Sequence, residues 1–386
     1  MIRFIIRREQ RTKYFLFMVL LIVLTMTLTK TRRQASLSNL KQRVNSFEAR
    51  NLKQRKTRHI VLLYWSKVFG KSVEINNRKR LPFFYVGENC EDQCELTVDR
   101  SRAIEADAII IHARDSNPFP PEKFSHIPLI LHTNENPAYT DLLNNPLFLS
   151  HFVYLISYRL DADFPMPLFV KPALTPPVPF KEKSNAVFAA FSNCEKVRTA
   201  YLGDLMKFIA VDSYGACLHN KDGLPRRYGR DFKQKKNEMA KYYKFTLVFM
   251  NADCEYFVDD QMTHALSAGS VPVFMGTDKI DDFLPGNLKS SIIKVEDFKT
   301  PRELGEYLTY LSSNELEYNK FLMWKYEGFR FPVNYSSTSI GQVWDSPNSV
   351  YCKICKKLTE SNSTRNQSHL KPDMCRKRIR QDWFIE

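Results

Sequence analysis

Residues 242–276 read YYKFTLVFMNADCEYFVDDQMTHALSAGSVPVFMG. Within them, residues 244–249 are rich in aromatic and β-branched side chains, as a buried strand should be. Residues 251–255 are polar and read as a loop. Val258, Met262, Ala265 and Leu266 then recur at i, i+4, i+7 and i+8, one face of a helix. Gly269 stands where a helix C-terminal glycine belongs, and residues 270–275 form a second short apolar strand before Gly276. A strand–helix–strand unit of this length is a right-handed parallel crossover. Its first loop opens onto a helix N-terminus, where free backbone N–H groups favour an anion, typically phosphate. Ligands of open parallel sheets lie beyond the carboxyl ends of the strands. Residues 251–261 are therefore the expected place for a phosphate-bearing ligand. Topology alone accommodates equally well a core unit with nothing bound.

The same alternation extends outward in both directions. Residues 59–65 (HIVLLYW), 106–112 (ADAIIIH) and 127–133 (IPLILHT) read as buried strands separated by helix-sized segments. Such alternation points to an α/β domain with a parallel sheet. Residues 171–183 (KPALTPPVPFKEK) contain four prolines and no periodicity, and read as a linker. A second series follows: strand 186–191, helix 196–208, strand 210–214, a charged loop, the opening unit, strand 291–295 and helix 301–325. The expected architecture is two Rossmann-like domains, 59–175 and 176–330, facing a cleft that is the natural ligand site. Residues 331–386 are read as a C-terminal tail.

Charge and cysteine content narrow the class. The chain of 386 residues carries a formal net charge of +15. Residues 1–58 hold fifteen Lys/Arg and two acids, and residues 351–386 hold nine and four, which leaves residues 59–350 at −3. A near-neutral body lacks the basic face that nucleic acid requires, so no nucleic-acid partner is expected. Residues 14–29 (YFLFMVLLIVLTMTLT) are uncharged and apolar. They read as a transmembrane anchor after a basic cytoplasmic tail, 1–13. A cleaved signal peptide is the rival reading, disfavoured because no small-x-small site follows. Residues 30–58 read as a stem, through which a homodimer is a further expectation. Eight cysteines and three sequons, at Asn334, Asn362 and Asn366, fit a lumenal, oxidising compartment.

These residues together resemble the alpha-1,3-fucosyltransferase family. Its Tyr-Lys-Phe, Phe-Glu-Asn and Tyr-Val-Thr-Glu-Lys stand here as Tyr243-Lys244-Phe245, Phe249-Met250-Asn251 and Phe257-Val258-Asp259-Asp260-Gln261. Ala265-Leu266, Gly269 and Val271-Pro272-Val273 complete that match. Ala106-Asp107-Ala108, His112 to Asp115, Glu135-Asn136-Pro137, Tyr158 to Asp163, Ser192-Asn193-Cys194 with Arg198, Asp212 to Cys217 and Cys352-x-x-Cys355 extend it in consistent order over about 59–357. The resemblance implies a Golgi type II membrane enzyme of the two-Rossmann (GT-B) fold. It implies GDP-fucose as donor, a GlcNAc-containing glycan of a glycoprotein or glycolipid as acceptor, and inverting transfer without a required metal.

Inverting transfer needs a carboxylate to take the acceptor proton while an oxocarbenium-like centre develops. Glu135, just past a strand end, matches the family's catalytic Glu. The leaving diphosphate needs cations and N–H donors. Arg198 matches a donor-binding Arg, suited to bidentate phosphate contact. Asn251, Phe257, Asp260 and Gln261 fall at donor-contact positions. Gln261 stands where the family has a phosphate-facing Lys, a loss of roughly tenfold in donor affinity, with Lys244 or Lys279 expected to compensate. Gln261 and Met250 also sustain an alternative: a weak or inactive lumenal paralogue that binds glycans or stabilises a partner. Asp161-Ala162-Asp163 superficially matches an Asp-x-Asp metal motif, but no metal site is expected there. A disulfide is favoured over zinc for Cys352 and Cys355, since zinc needs a second pair of ligands. His112, His132 and His264 read as core or loop residues.

Overall fold

The computed structural model describes residues 59–73, 90, 94–225, 231–329, 337–346, 349–360, 370–372 and 375–376. The cytoplasmic tail, anchor and stem expected over 1–58 lie outside the described residues, as do Asn334, Asn362 and Asn366. Among the described residues no helix is long and apolar enough to cross a membrane.

The first half is built on β1 (Ile60–Tyr64), β2 (Cys94–Thr97), β3 (Ala108–His112), β4 (Leu129–Thr133), β5 (Tyr154–Ser157) and β6 (Phe164–Pro165). They form one parallel sheet in the order β2-β1-β3-β4-β5-β6. Every residue of β1 and β3 is buried, as expected of a parallel sheet covered on both faces. Alternation divides them between two cores. Ile60, Leu62, Ile110 and Ile130 face one way, and Leu63, Ile109, Ile111 and Leu131 face the other. The connections are not the helices expected from segment length. The β3–β4 link holds only 3-10 turns at Ala113–Asp115 and Glu122–Phe124. The β4–β5 link has another at Asp141–Asn144 and a four-residue helix at Pro146–Leu149. Pro118, Pro120, Pro121 and Pro137 each remove a backbone donor in these links and disfavour longer helices, while Pro146 opens the four-residue helix at its first position.

The second half comprises β7 (Ser184–Ala189), β8 (Val211–Ser213), β9 (Tyr243–Phe249), β10 (Asp253–Cys254), β11 (Val271–Met275) and β12 (Ile293–Lys294). Its helices are α1 (Lys196–Leu205), α2 (Phe232–Ala240), α3 (Asp260–Ala268) and α4 (Pro301–Ser313). Its sheet is parallel with order β12-β11-β9-β7-β8. The chain runs outward from β7 to β8, then returns to β9 on the other side, so the order reverses between β7 and β9. Helix α2 occupies what reads as a charged loop. The helix expected over 301–325 breaks after Ser313, and Asn314 caps a short helix at Glu315–Lys320.

Helix α3 joins the halves. Val258, Met262, Ala265 and Leu266 pack with Tyr158, Leu160 and Phe169 of the first half in one apolar cluster. The polar residues of α3 hold the linker: Val170 N donates to Thr263 Oγ1 at 3.0 Å and Ala173 N to Ser267 Oγ at 3.0 Å. Gly269 ends the helix at φ +69°, and a Cβ there would lie 2.6 Å from Pro177 Cβ.

The final described helix, α5 (Val350–Glu360), returns to the first sheet, where Tyr351, Ile354 and Cys355 cover β1 and β2. Disulfides Cys90–Cys352 and Cys94–Cys355 fasten it there. The Cys352-x-x-Cys355 pair therefore bonds to a second pair rather than within itself. Cys194–Cys217 joins the loops after β7 and β8. Cys254–Cys375 joins β10 to β13 (Cys375–Arg376) in an antiparallel ribbon.

Candidate functional site

The carboxyl ends of β4, β7 and β9 open on one cleft of about 640 Å³. Glu135, Tyr139 and Arg114 line it from the first half. Phe191, Asn193, Arg198, Asn251, Asp259, Asp260 and Gln261 line it from the second, with Phe232, Lys233 and Lys236 of α2. Five of the six residues expected from sequence thus meet in one place: Glu135, Arg198, Asn251, Asp260 and Gln261.

Glu135 lies two residues beyond β4 and is half-buried. Its Oε1 accepts from the Asn136 backbone N at 3.1 Å and from Asn136 Nδ2 at 3.0 Å. The same Nδ2 donates to Asn251 Oδ1 at 2.9 Å, beyond β9. Asn136 is fully buried, so one amide fixes the carboxylate and ties together the two loops that face across the cleft. Tyr139 OH makes a second crossing, donating to Asn193 Oδ1 at 3.4 Å.

Arg198 is 3% exposed, on the first turn of α1. Its guanidinium donates through Nε to Asn193 O at 3.0 Å and through Nη1 to Phe249 O at 2.7 Å, and it lies over the Phe191 ring. These carbonyls belong to the loop after β7 and the end of β9, the two strands between which the sheet order reverses. Arg198 therefore braces the switch point, where open α/β sheets bind ligands, as well as lining the cleft.

The first turn of α3 is more acidic than a phosphate site requires. Asp259 is the N-cap, with Oδ1 accepting from Gln261 N at 2.9 Å. Gln261 Nε2 folds back onto Asp259 Oδ2 at 2.7 Å. Burial and the neighbouring Asp260 charge push the Asp259 carboxyl up to about 6, against the pull of Gln261 and Lys236. Asp260 is also raised by burial, but His264, Lys233 and Lys236 hold it below the usual carboxylate value overall. Lys233 Nζ sits 2.6 Å from Asp260 Oδ2.

Phe257 is the exception among the expected residues. It is 3% exposed, packs edge-on against Tyr158 and lies in the joining cluster rather than on the cleft wall. Met250, at the family Glu position, is likewise core, and its Sδ accepts from Asp259 N at 3.3 Å. Neither Lys244 nor Lys279 reaches the cleft. Lys244 Nζ donates to Ser312 O at 2.8 Å. It begins a strand whose far end forms the site, roughly 17 Å away at 3.3 Å per residue.

Asp161 and Asp163 do not converge: Asp161 pairs with Arg159, while Asp163 Oδ2 accepts from Leu155 N at 3.0 Å. His112 and His132 are buried at the ends of β3 and β4, and burial holds His132 down at about 3. Burial likewise holds His264 down at about 4. A second cavity of about 410 Å³, lined by Asp161, Tyr256, Asp281, Asp282 and Lys289, is acidic and suits a diphosphate poorly. Sequence reading passes over Tyr139, Asp259, Lys233 and Lys236. The lysines carry no clear sequence signal, since the apolar residues of their helix are too few to outline a face.

A family model described as Glycosyltransferase family 10 (fucosyltransferase) C-term matches residues 180–372, and one described as Fucosyltransferase, N-terminal matches 57–169. The chain is similar to GDP-fucose protein O-fucosyltransferase 3 of Xenopus laevis, 29% identical over 360 residues, or 85% of this chain and 72% of that one. It is also similar to Alpha-(1,3)-fucosyltransferase B of Drosophila melanogaster, 30% identical over 250 residues, or 59% of this chain and 56% of the fly protein. A crystal structure of alpha1,3-fucosyltransferase with GDP-fucose aligns with a TM-score of 0.47 at 18% identity, covering 69% of this chain and 81% of that one.

Proposed function

The chain belongs to glycosyltransferase family 10, the fucosyltransferases, and from that premise we propose that it transfers fucose from GDP-fucose to an acceptor hydroxyl with inversion. The observation that carries this reading is that Glu135 from the first half and the N-terminus of α3 from the second line one cleft. Glu135 takes the proton of the acceptor hydroxyl as its oxygen bonds to the anomeric carbon. The bond from that carbon to the β-phosphate oxygen breaks, and GDP leaves with the electron pair. The fixed Asn136 amide orients Glu135 without competing for the acceptor. Donors and cations from the second half stabilise the departing charge. No resident metal is part of this mechanism, and activity retained in chelator tests that.

The acceptor follows from two supports. The Xenopus relative, matched over 85% of this chain, is named a protein O-fucosyltransferase. That favours a hydroxyl of a polypeptide side chain, Ser or Thr, as acceptor. The second reading, alpha-1,3 transfer to GlcNAc, is supported by the name of the fly relative. We place the body in the Golgi lumen as a type II membrane protein, supported by the pairing of all eight cysteines, which suits an oxidising compartment. The test is to incubate the full-length chain with GDP-fucose and, in parallel, secreted polypeptides and GlcNAc-terminated glycans. Fucose on Ser/Thr supports the first acceptor and fucose on GlcNAc the second. GDP binding without transfer to either would favour the non-catalytic paralogue that Gln261 suggests.

A further inference from the structure

We propose that Lys236, assisted by Lys233, receives the donor's diphosphate in this chain, replacing from a different helix the lysine that Gln261 has displaced; this rests on the reading of the cleft as a GDP-sugar site. The side chain of Gln261 is committed to Asp259 Oδ2 at 2.7 Å. Lys236 lines the cleft beside it. It also lines a small space under the first turns of α3, with Ala190, Gln261, His264 and Ala265. It therefore borders both the cleft and the space beside the first turns of α3. Its charge acts on Asp259, Asp260 and His264 alike.

Charge balance points the same way. The family's first turn, Thr-Glu-Lys, sums to zero, whereas Asp259-Asp260-Gln261 sums to −2. Left alone, that turn would repel a diphosphate. Lys233 and Lys236 restore neutrality from α2, Lys233 by direct pairing with Asp260 at 2.6 Å. Burial completes the case. Lys236 is 9% exposed, so its stem is already ordered and little side-chain freedom is lost when it meets a ligand. Lys233, with its side chain 73% exposed and paired with Asp260, neutralises rather than positions.

The test measures GDP affinity by calorimetry and guanosine affinity by ligand-observed NMR on the purified full-length chain. Lys236→Met keeps the buried stem and removes the charge. The expected result is GDP binding weakened roughly ten- to hundredfold, the effect of one charge-assisted hydrogen bond, with guanosine binding unchanged. Adding Gln261→Lys to Lys236→Met should restore most of the GDP affinity by returning the cation to α3. Unchanged GDP affinity in Lys236→Met overturns the proposal. So does an equal loss of GDP and guanosine, which would make Lys236 a support of the fold alone. If the unaltered chain binds no GDP, the donor reading itself falls, a result distinguishable from either.

Discussion

Asp259→Asn isolates the electrostatic cost built into the first turn of α3. The asparagine keeps an acceptor for Gln261 N, so the cap survives. What is lost is a carboxylate that burial and Asp260 raise from 3.8 to about 6. A folded-state value above the unfolded one means that the native chain binds this proton more tightly. Above pH 6 the ionised group therefore costs the fold its full penalty, and the cost fades as pH falls from 6 to 4. At 1.36 kcal/mol per pKa unit the penalty is about 3 kcal/mol. Realignment of Gln261, which donates to Asp259 Oδ2, returns part of that gain. Asp259→Asn should thus stabilise the protein by about 1–3 kcal/mol at pH 7.5, read as a higher urea midpoint. The advantage should vanish by pH 4. GDP should also bind the variant more tightly at pH 7.5, and the parent's affinity should rise as pH falls through 6. A variant no more stable than its parent at pH 7.5, or an advantage independent of pH, would refute the reasoning.

Three further outcomes follow from particular contacts. Glu135→Gln should lower fucose transfer roughly 10²–10⁴-fold, the range for a general base, while GDP affinity measured by calorimetry stays within about twofold. Gly269→Ala places a Cβ 2.6 Å from Pro177 Cβ at φ +69°. The left-handed backbone costs about 1–2 kcal/mol and the crowding about 1–3, measurable by urea denaturation. Replacing Cys94 and Cys355 together by serine removes one of the two disulfides that fasten α5 to the first sheet, leaving Cys90–Cys352 in place, and should cost about 2–4 kcal/mol, with faster amide exchange in 350–360 as its local signature.

The second half was legible because its pattern is periodic. The aromatic run of β9, the apolar stripe of α3 and Gly269 each have one structural meaning, and each is found where expected, except that Val258 lies two residues before the helix begins. In the first half only the three most apolar strands, β1, β3 and β4, were legible; the short β2, β5 and β6 and the links were not. Apolar runs mark buried strands, whereas prolines 118, 120, 121 and 137 keep the intervening segments to 3-10 turns and one four-residue helix that carry no period. Helix α2 was hidden by its lysines: Phe232, Met239 and Ala240 are too few to outline a face, and the buried Lys236 reads as solvated. Phe257 sits within the stretch that resembles the family motif, yet its side chain turns to the joining core. The direction of a side chain in a loop is set by tertiary packing, which a motif does not record. Sequence alone points to Lys244 and Lys279 as compensation for Gln261. The structure supplies cations from α2 instead, because Lys244 enters β9 at the end remote from the cleft.

The most direct test is hydrogen–deuterium exchange on the full-length chain with and without GDP. The account predicts slowed exchange in 190–199, 232–240 and 249–264, with no change around the second cavity near Asp161 and Asp282. Protection confined to that acidic cavity, or none at the N-terminus of α3 under saturating GDP, would contradict it.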